Sequence, residues 1–269
     1  MSRPDWTTSE IDLNQPSVAR IYDYNLGGSH NFAVDRELAD RINQSMPELP
    51  AVNRANRSLL RRVVRFLTDA GIRQFLDLGS GIPTVGNVHE VAQQAAPGSK
   101  VVYVDVDAVA VAHGNSILAG NPDAVALRAD IRDIDTILEH PEVRQMLDFG
   151  QPLGVLMMAM MHFVPDRDDP AGIVARIHES IAPGSYLAFS HATQEGDDRG
   201  HTADAANVSR GRIDLKLRGS AEVRTMLTGF DLVAPGLVFA PQWRPDSPND
   251  PFTDRPAHSA TLIAVGKKR

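Results

Sequence analysis

A glycine-rich turn follows a short apolar run in the first third of the chain. The segment from Phe75 to Thr84 is Phe-Leu-Asp-Leu-Gly-Ser-Gly-Ile-Pro-Thr, in which a Gly-x-Gly turn ends the apolar run. Gly79 and Gly81 permit positive φ and lack the Cβ atoms that would keep a ligand away from the backbone. Pro83 suits the first turn of a following helix. The pattern predicts a strand, a nucleoside-binding loop and a helix with Pro83 in its first turn.

Two residues around the turn discriminate between ligands. A dinucleotide-binding loop has a third small residue in Gly-x-Gly-x-x-Gly, where the pyrophosphate meets the helix N-terminus, but Thr84 occupies that position. Asp77, two residues before the turn, would repel a pyrophosphate and attract a ligand that carries an ammonium and a sulfonium. The loop therefore favours S-adenosylmethionine over NAD. For a lone Gly-x-Gly, a turn that binds nothing is an equal alternative.

Acidic residues also end the next two predicted strands. The run from Val101 is β-branched and aromatic and ends in Asp105, 24 residues after Gly81, near the spacing of about 20 residues for a ribose-binding carboxylate. Asp130 follows the next strand and could accept a hydrogen bond from an adenine amino group. Each acid could instead cap a helix without any ligand. Three acids at three consecutive strand ends favour one ligand site, because ligands collect at the carboxyl ends of strands in this architecture.

Composition excludes several classes of function. The chain has 269 residues, a net charge of −7 and no cysteine. The acidic balance disfavours nonspecific nucleic-acid binding, which depends on Lys and Arg at phosphates. Without cysteine there is no disulfide, no thiolate zinc site and no cysteine nucleophile. No His/Asp/Glu group has metal-ligand spacing, so we expect no metal.

The apolar runs are short. The longest strongly apolar one, residues 155–161, is far below the roughly 20 residues that cross a bilayer, and residues 2–6 lack the apolar core of a signal peptide. We therefore expect a cytoplasmic protein without membrane partners. Its basic residues are mostly arginine, which we interpret as the codon bias of a GC-rich bacterial genome.

Apolar runs that alternate with amphipathic stretches from residue 72 onward predict an α/β fold with a parallel sheet. Five strands are centred on 75–78, 101–105, 125–129, 153–158 and 186–190. Two closing strands, over 230–239 and 260–265, predict a hairpin whose last strand is antiparallel. A helix is expected from Pro170, with Asp169 as its cap, to the stop at Pro183.

Two further segments stand outside this alternation. Residues 193–218 are predicted to be a polar insertion on the substrate side, with a helical stretch to about Leu217. Residues 20–32 contain two tyrosines, two glycines and two asparagines, which is unfavourable for a plain helix because Gly costs about 1 kcal/mol per position. This segment is either a lid, whose aromatic faces meet a sulfonium by cation–π attraction, or a turn whose tyrosines pack on the core.

Together these segments resemble the class I S-adenosylmethionine-dependent methyltransferases, and more closely a bacterial S-adenosyl methyltransferase subfamily of largely unassigned substrate. The resemblance covers nearly the whole chain and is carried by residues 19–24, 26–28, 31–32, 73–84, 129–133 and 161–166. It implies a Rossmann-like seven-stranded sheet with helices on both faces and an N-terminal helical cap. The cap would span residues 1–50, and the S-adenosylmethionine-binding methyltransferase domain residues 51–269.

The resemblance also implies roles for individual residues. It places Asp77, Gly79 and Gly81 around the methionine moiety, Asp105 on the ribose and Asp130 near the adenine. Arg57, on the helix before the first strand, is similar in position to a residue that pairs with the cofactor carboxylate in the broader class. The predicted cofactor-binding set is completed by Tyr22, Asn31, Ser80, Val106, Ile131 and Ala159.

The predicted reaction is methyl transfer to an oxygen or nitrogen nucleophile of a small molecule. His162, after the fourth strand, is the leading candidate for a general base because His titrates near neutral pH, and His191 is a second. The alternative for His162 is a histidine that is hydrogen-bonded in the pocket wall. The chain lacks the Asn/Asp-Pro-Pro-aromatic motif that resembles amino-group methylation of nucleic-acid bases.

Two other functions remain open at this point. A fold and a cofactor loop do not establish chemistry, so the chain could bind S-adenosylmethionine or S-adenosylhomocysteine as a sensor or partner without catalysis. An NAD-dependent oxidoreductase is disfavoured by Thr84 and Asp77. Neither the acceptor nor the oligomeric state has a signal in the sequence.

Overall fold

A central sheet organises the computed structural model, which describes residues 14–83 and 86–269. Thr84, and residues 1–13 of the predicted cap, lie outside the described residues. The strands are β1 (Gln74–Leu78), β2 (Lys100–Asp105), β3 (Ala124–Arg128), β4 (Gly154–Met157), β5 (Tyr186–Ala192), β6 (Asp231–Leu232), β7 (Val238–Phe239) and β8 (Thr261–Lys267). The first five are parallel in the order β3-β2-β1-β4-β5, and β8 is antiparallel to β5. The five predicted parallel strands and the antiparallel last strand are confirmed.

The predicted strand over 230–239 is wrong as a continuous element. It forms two short strands, β6 and β7, which both pair with β8, so the sheet has eight strands where seven were expected. Pro235 has no N–H to donate to the ladder, and Gly236 adopts a φ of 91°. These two residues interrupt the pairing between Leu232 and Val238.

Helices cover both faces of the sheet. They are α1 (Val18–Asn25), α2 (Ala33–Ser45), α3 (Leu49–Asp69), α4 (Val88–Ala95), α5 (Ala108–Ile117), α6 (Ile134–Glu139), α7 (Pro141–Met146), α8 (Pro170–Ser180), α9 (His201–Ser209) and α10 (Ser220–Met226). Alternate residues of each strand enter different apolar clusters. Leu76 and Leu78 pack in one cluster, and Phe75 packs with Tyr103 in another. The strands are therefore buried on both faces, as a parallel sheet requires.

Three predicted helix boundaries can be compared with the structure. The start of α8 is confirmed, since the Asp169 carboxylate accepts from the Gly172 N–H at 3.0 Å. The start at Pro83 is wrong: α4 begins at Val88, where the Glu90 carboxylate accepts from the Asn87 N–H at 3.1 Å. The helical stretch to Leu217 is also wrong, because α9 ends at Ser209 and Gly211 adopts a φ of 79°, which terminates a helix.

The N-terminal helices pack with the insertion helix. Apolar residues of α1, α2 and α9, among them Ile21, Ile42 and Ala205, share one small cluster. The fully buried Asp35 carboxylate joins α1 to α2, because it accepts from the Ser17 N–H at 2.9 Å and the Phe32 N–H at 2.8 Å. We call this unit of α1, α2 and α9 the cap. The predicted boundary at residue 50 falls in the first turn of α3, and the division into 1–50 and 51–269 stays a prediction.

The unusual composition of residues 20–32 follows from one buried carboxylate. Asp23 accepts from the His30 N–H and from the Asn31 Nδ2, both at 2.9 Å. A Cβ atom on Gly28 would overlap the Asp23 carboxylate, and Gly27 adopts a φ of 82°. The glycines therefore let the chain turn tightly around Asp23 directly after α1.

Candidate functional site

A cavity of about 520 Å³ opens at the carboxyl ends of β1, β2 and β4, and we call it the first cavity. It lies where the strand order reverses between β1 and β4, which is the usual ligand position in an open α/β sheet. Eleven of the twelve predicted cofactor-binding residues line it: Tyr22, Arg57, Asp77, Gly79, Ser80, Gly81, Asp105, Val106, Asp130, Ile131 and Ala159. The twelfth, Asn31, is absent from this lining and hydrogen-bonds to Asp23 and to the Gly28 carbonyl.

The glycine loop is fixed to β2. The Gly79 N–H donates to the Val104 carbonyl at 2.8 Å, and the Gly81 N–H donates to the Asp105 carboxylate at 2.7 Å. Both glycines have positive φ, 71° and 66°. A Cβ on Gly79 would lie 2.7 Å from the Met160 Cβ, whereas a Cβ on Gly81 would meet no atom within 4 Å. The loop thus leaves the backbone around Gly81 open for close approach of a ligand.

Asp105 orders the end of β2. One of its oxygens accepts from Gly81 and the other accepts from the Asp107 N–H at 2.8 Å. Burial raises the pKa of the Asp105 carboxyl to about 6. Each carboxylate oxygen can accept a second hydrogen bond, so Asp105 retains acceptor capacity for a hydroxyl. The neighbouring Val106 side chain is 58% exposed, and it gives the same wall an uncovered apolar surface.

An acid and a cation face the same part of the first cavity. Burial raises the pKa of the Asp77 carboxyl to about 7, with Asp105 acting in the same direction and Arg57 in the opposite one. The Arg57 Nη2 donates to the Asn87 Oδ1 at 3.2 Å. The Arg57 Nε is buried and has no hydrogen-bond partner among residues 14–83 and 86–269. A ligand with both an ammonium and a carboxylate would match this pair.

Asp130 already has a partner. Its carboxylate accepts from the backbone N–H of Arg132 at 2.9 Å and from the guanidinium of the same residue. The hydrogen bond from Arg132 lowers the pKa of the Asp130 carboxyl. An adenine amino group at this position would therefore share the carboxylate with Arg132.

A smaller cavity of about 150 Å³ adjoins the first, and we call it the second cavity. Its walls come from α1, α2 and α9, from the start of α3 and from the turn after β4. The two cavities share six lining residues: Val18, Tyr22, Asn56, Ala159, Phe163 and Ile213. Ala159 has a φ of 55°, a conformation that costs a non-glycine residue energy. Its N–H donates to the Ser190 Oγ at 2.8 Å.

His162 lines the second cavity, and the first-cavity lining does not include it. Its Nδ1 accepts from the Ala192 N–H at 3.2 Å. Burial lowers the pKa of the His162 imidazole well below its ordinary value. The ring is therefore neutral, with its lone pair on Nδ1 in use and its proton on Nε2.

His191 has no free lone pair either. Its Nδ1 donates to the Ala192 carbonyl at 2.7 Å, and its Nε2 accepts from the Arg218 guanidinium at 3.1 Å. Burial lowers the pKa of the His191 imidazole to about 4. Arg218, which is 1% exposed, also donates to the Val164 carbonyl at 2.9 Å. Both histidines thus belong to the hydrogen-bonded wall behind the turn that follows β4.

Similarity to known proteins agrees with this geometry. The sequence model of the S-adenosyl methyltransferase family matches residues 4–269. The chain belongs to this family.

Two solved structures resemble the methyltransferase closely. A putative methyltransferase from Thermobifida fusca YX is 39% identical, with a TM-score of 0.92 over 98% of this chain and 99% of the other. A duf574 family protein from Streptomyces avermitilis MA-4680 is also 39% identical, with a TM-score of 0.91 over 96% and 99%. Human N-acetylserotonin methyltransferase, solved with SAM, shares the fold at 14% identity, with a TM-score of 0.52 over 95% and 63%. Curated proteins give no significant match.

The family settles the class of enzyme. The protein is an S-adenosylmethionine-dependent methyltransferase with a Rossmann-like fold, as the resemblance implied. Its cofactor is S-adenosylmethionine. The family supports this function over the two alternatives, the noncatalytic sensor and the NAD-dependent oxidoreductase.

Sequence reasoning missed several lining residues of the methyltransferase. Asp107 lines the first cavity and caps α5, since its carboxylate accepts from the Val109 N–H at 2.7 Å; an Asp just before a helix was its signal. Residues 212–214 reach the first cavity from the insertion, and no local pattern marks them.

Among residues 14–83 and 86–269, no group of three or more His, Asp or Glu could hold a metal ion. No helix in the described part of the chain is long and apolar enough to cross a membrane.

Proposed function

We propose that this methyltransferase binds S-adenosylmethionine in the first cavity and transfers its methyl group to an oxygen or nitrogen of a small molecule. One observation carries the site assignment: the buried, unpartnered Nε of Arg57 lies in the same cavity as the Asp77 carboxyl and the glycine loop. The amino-acid end of the cofactor carries a carboxylate and an ammonium beside its sulfonium. This charge pattern complements Arg57 and Asp77.

The remaining roles follow from position along the cavity. The ribose hydroxyls hydrogen-bond to Asp105, whose carboxylate accepts from the N–H groups of Gly81 and Asp107 and has capacity for a further hydrogen bond. The adenine packs on Val106 and Ile131, and Asp130 accepts from its amino group. Ser80 and Gly81 let the backbone contact the ligand, and Tyr22 and Ala159 lie at the end nearest the second cavity.

The protein contributes positioning rather than proton transfer. When bound, S-adenosylmethionine would supply an electrophilic methyl group: the acceptor lone pair would form the new bond to carbon, sulfur would keep the electrons of the broken carbon–sulfur bond, and a proton on the acceptor atom would leave to water. Holding two reactants in line is worth about 7–11 kcal/mol at best. The chain supplies that alignment where the two cavities meet, at Ala159 and Tyr22.

A general base is not part of this proposal. The lone pairs of His162 and His191 are already in hydrogen bonds. The Tyr22 hydroxyl donates to the Asn53 carbonyl at 2.9 Å and accepts from the Asn56 Nδ2 at 3.2 Å, while burial raises the pKa of the Tyr22 hydroxyl. We therefore propose that His162 donates a hydrogen bond from Nε2 instead of removing a proton. The cytoplasmic location and the absence of nucleic-acid and membrane partners stay predictions.

Calorimetry and turnover test the proposal. Purified protein should bind S-adenosylmethionine and S-adenosylhomocysteine, with dissociation constants on the order of micromolar, and should not bind NAD. Incubation with S-adenosylmethionine and a cell extract separated into small-molecule, protein and nucleic-acid fractions should release S-adenosylhomocysteine with the small-molecule fraction, together with an acceptor heavier by one methylene. Tight NAD binding, or methylation confined to the protein and nucleic-acid fractions, would contradict the proposal.

A further inference from the structure

The lining of the second cavity contains no charged side chain among the described residues. Its members are mainly apolar, and its polar members are amides, hydroxyls and His162. The imidazole of His162 is neutral because burial holds its pKa well below the ordinary value. A charged molecule would enter this cavity without an opposite charge to pair with, and an unpaired buried charge is strongly unfavourable.

One polar side chain in this cavity has an unmet hydrogen bond. Asn25, at the end of α1, is 7% exposed and lines the second cavity. Its Oδ1 accepts from the Asn43 Nδ2 at 2.9 Å. Its Nδ2 is buried without a hydrogen-bond partner in the described part of the chain, and so is the Oδ1 of Asn43. A buried donor without a partner costs about 1–3 kcal/mol, and a ligand acceptor that hydrogen-bonds to the Asn25 Nδ2 would remove this cost.

The size of the cavity limits what can fill it. Its volume is about 150 Å³, and an apolar protein cavity of about this volume holds benzene. The six shared lining residues connect it to the first cavity. A ligand in the second cavity would therefore extend toward Ala159, beside the proposed cofactor site.

We propose that the second cavity binds the methyl acceptor, and that the buried part of this acceptor is an uncharged group of one aromatic ring in size with a hydrogen-bond acceptor for Asn25. This inference rests on the proposed function, because it assigns the other substrate of the same reaction. It separates the two substrates by chemistry: the zwitterionic cofactor end binds among charges, and the acceptor binds among neutral side chains. The Nε2 of His162 supplies a second donor on the same lining.

Three test ligands share a phenyl ring and carry polar groups of different charge; benzamide and benzoate both offer a hydrogen-bond acceptor, whereas benzylamine offers only donors. Benzamide is neutral, benzoate is an anion and benzylamine is a cation at neutral pH. With the protein saturated by S-adenosylhomocysteine, ligand-detected NMR should show benzamide binding and should show the two ions binding at least about tenfold more weakly. Equal binding of benzoate or benzylamine, or no benzamide binding at all, would overturn the inference.

Two variants locate the benzamide site. Ala205→Leu, on α9, fills the second cavity and should abolish benzamide binding, whereas Ala206→Leu is the matched control because Ala206 is on the same helix and lines neither cavity. Asn25→Leu should weaken benzamide by about threefold to tenfold, the worth of one hydrogen bond. Unchanged benzamide binding in Ala205→Leu would place the ligand elsewhere and overturn the inference.

Titration of S-adenosylhomocysteine keeps the two proposals apart. All three variants should bind it with wild-type affinity, since Ala205, Ala206 and Asn25 are outside the first cavity, and this also shows that the variants fold. If wild-type protein fails to bind S-adenosylhomocysteine, the proposed cofactor site fails. If it binds S-adenosylhomocysteine but not benzamide, only the assignment of the second cavity fails.

Discussion

The two cavities share six lining residues but differ in the charge of the rest of their linings. The first is lined by charged residues, mostly carboxylates that follow strand ends together with Arg57 of α3, Arg132 and Arg212. Burial raises the pKa of two of its acids, Asp77 and Asp105. The second is lined by side chains of the cap together with residues of α3 and of the turn after β4, and contains no charged residue among those described. The sheet edge therefore places charged groups around the first cavity, while uncharged side chains, many of them from the cap, determine the size and shape of the second. Each of the following changes should affect one cavity and spare the other.

The largest effect is expected from Asp105→Ala. The change removes the acceptor that holds both Gly81 and Asp107, so the anchor of the glycine loop and the proposed ribose contact are lost together. We expect about 100-fold weaker binding of S-adenosylmethionine, or roughly 2.7 kcal/mol, by calorimetry. Asp69→Ala, on the exposed end of α3, is the control. Benzamide binding to the ligand-free variant should stay unchanged, and a parallel loss would show that the cavities are not separate.

Arg57→Met should act on only one end of the cofactor. The substitution removes the unpartnered Nε, so we expect about 10-fold to 30-fold weaker binding of S-adenosylhomocysteine. Methylthioadenosine has no carboxylate, and its affinity should not change. Arg54→Met, on the same helix but exposed, is the control. An equal loss for both ligands would show that Arg57 supports the cavity wall and does not bind the carboxylate.

The cavities should also respond differently to pH. Burial raises the pKa of Asp77 from 3.8 to about 7 and that of Asp105 to about 6. The ligand-free folded protein therefore binds more protons than the unfolded chain in this range, and its unfolding free energy should fall as pH rises from about 5 to 8. The cationic cofactor favours the ionised carboxyls, so its affinity should rise, by about tenfold from pH 6 to pH 8.

Calorimetry and thermal unfolding across this pH range check both signs. Asp77→Asn should flatten the pH dependence of cofactor affinity. Benzamide binding should stay constant, since the pKa of His162 lies well below its ordinary value. A rise in benzamide affinity with pH would instead indicate a titrating group in the second cavity.

The smallest effect is expected at His162. In the proposal, the His162 Nε2 donates a hydrogen bond to the ligand. His162→Gln keeps a donor in its amide and should bind benzamide within about twofold of wild type. His162→Ala has no donor and should bind benzamide about threefold to tenfold more weakly. If a general base were required, turnover with an identified acceptor would disappear in both variants. Retained turnover in His162→Gln would support the donor role.

The sequence predicts the first cavity better than the second for a physical reason. A strand that ends in an acid or a Gly-x-Gly turn is a local signal, and parallel strands bring their carboxyl ends to one edge, so Asp77 and Asp105 can be placed together without a structure. The second cavity depends on how α1, α2 and α9 pack. Asn25 and Ala205 are 180 positions apart in the chain, and no local pattern predicts that they line one cavity.

The wrong helix boundaries have similarly specific causes. Pro83 is compatible with a first helical turn, but the Glu90 carboxylate binds the N–H groups of Gly86 and Asn87 and starts α4 later. His162 was placed correctly after β4, yet its environment depends on Ala192 and Arg218 of distant segments. A local prediction can give the position of a histidine but not its protonation.

If the second cavity binds the acceptor as proposed, the cap sets the acceptor specificity of this enzyme. Residues of α1, α2 and α9 that line the second cavity but not the first, such as Ile21, Ile42 and Ala205, can be exchanged for side chains of other sizes without moving a strand end. Under the proposed assignment, such exchanges would change the acceptor while the donor site stays the same. The same separation makes the cap the region in which a new specificity would be selected, in nature or in the laboratory.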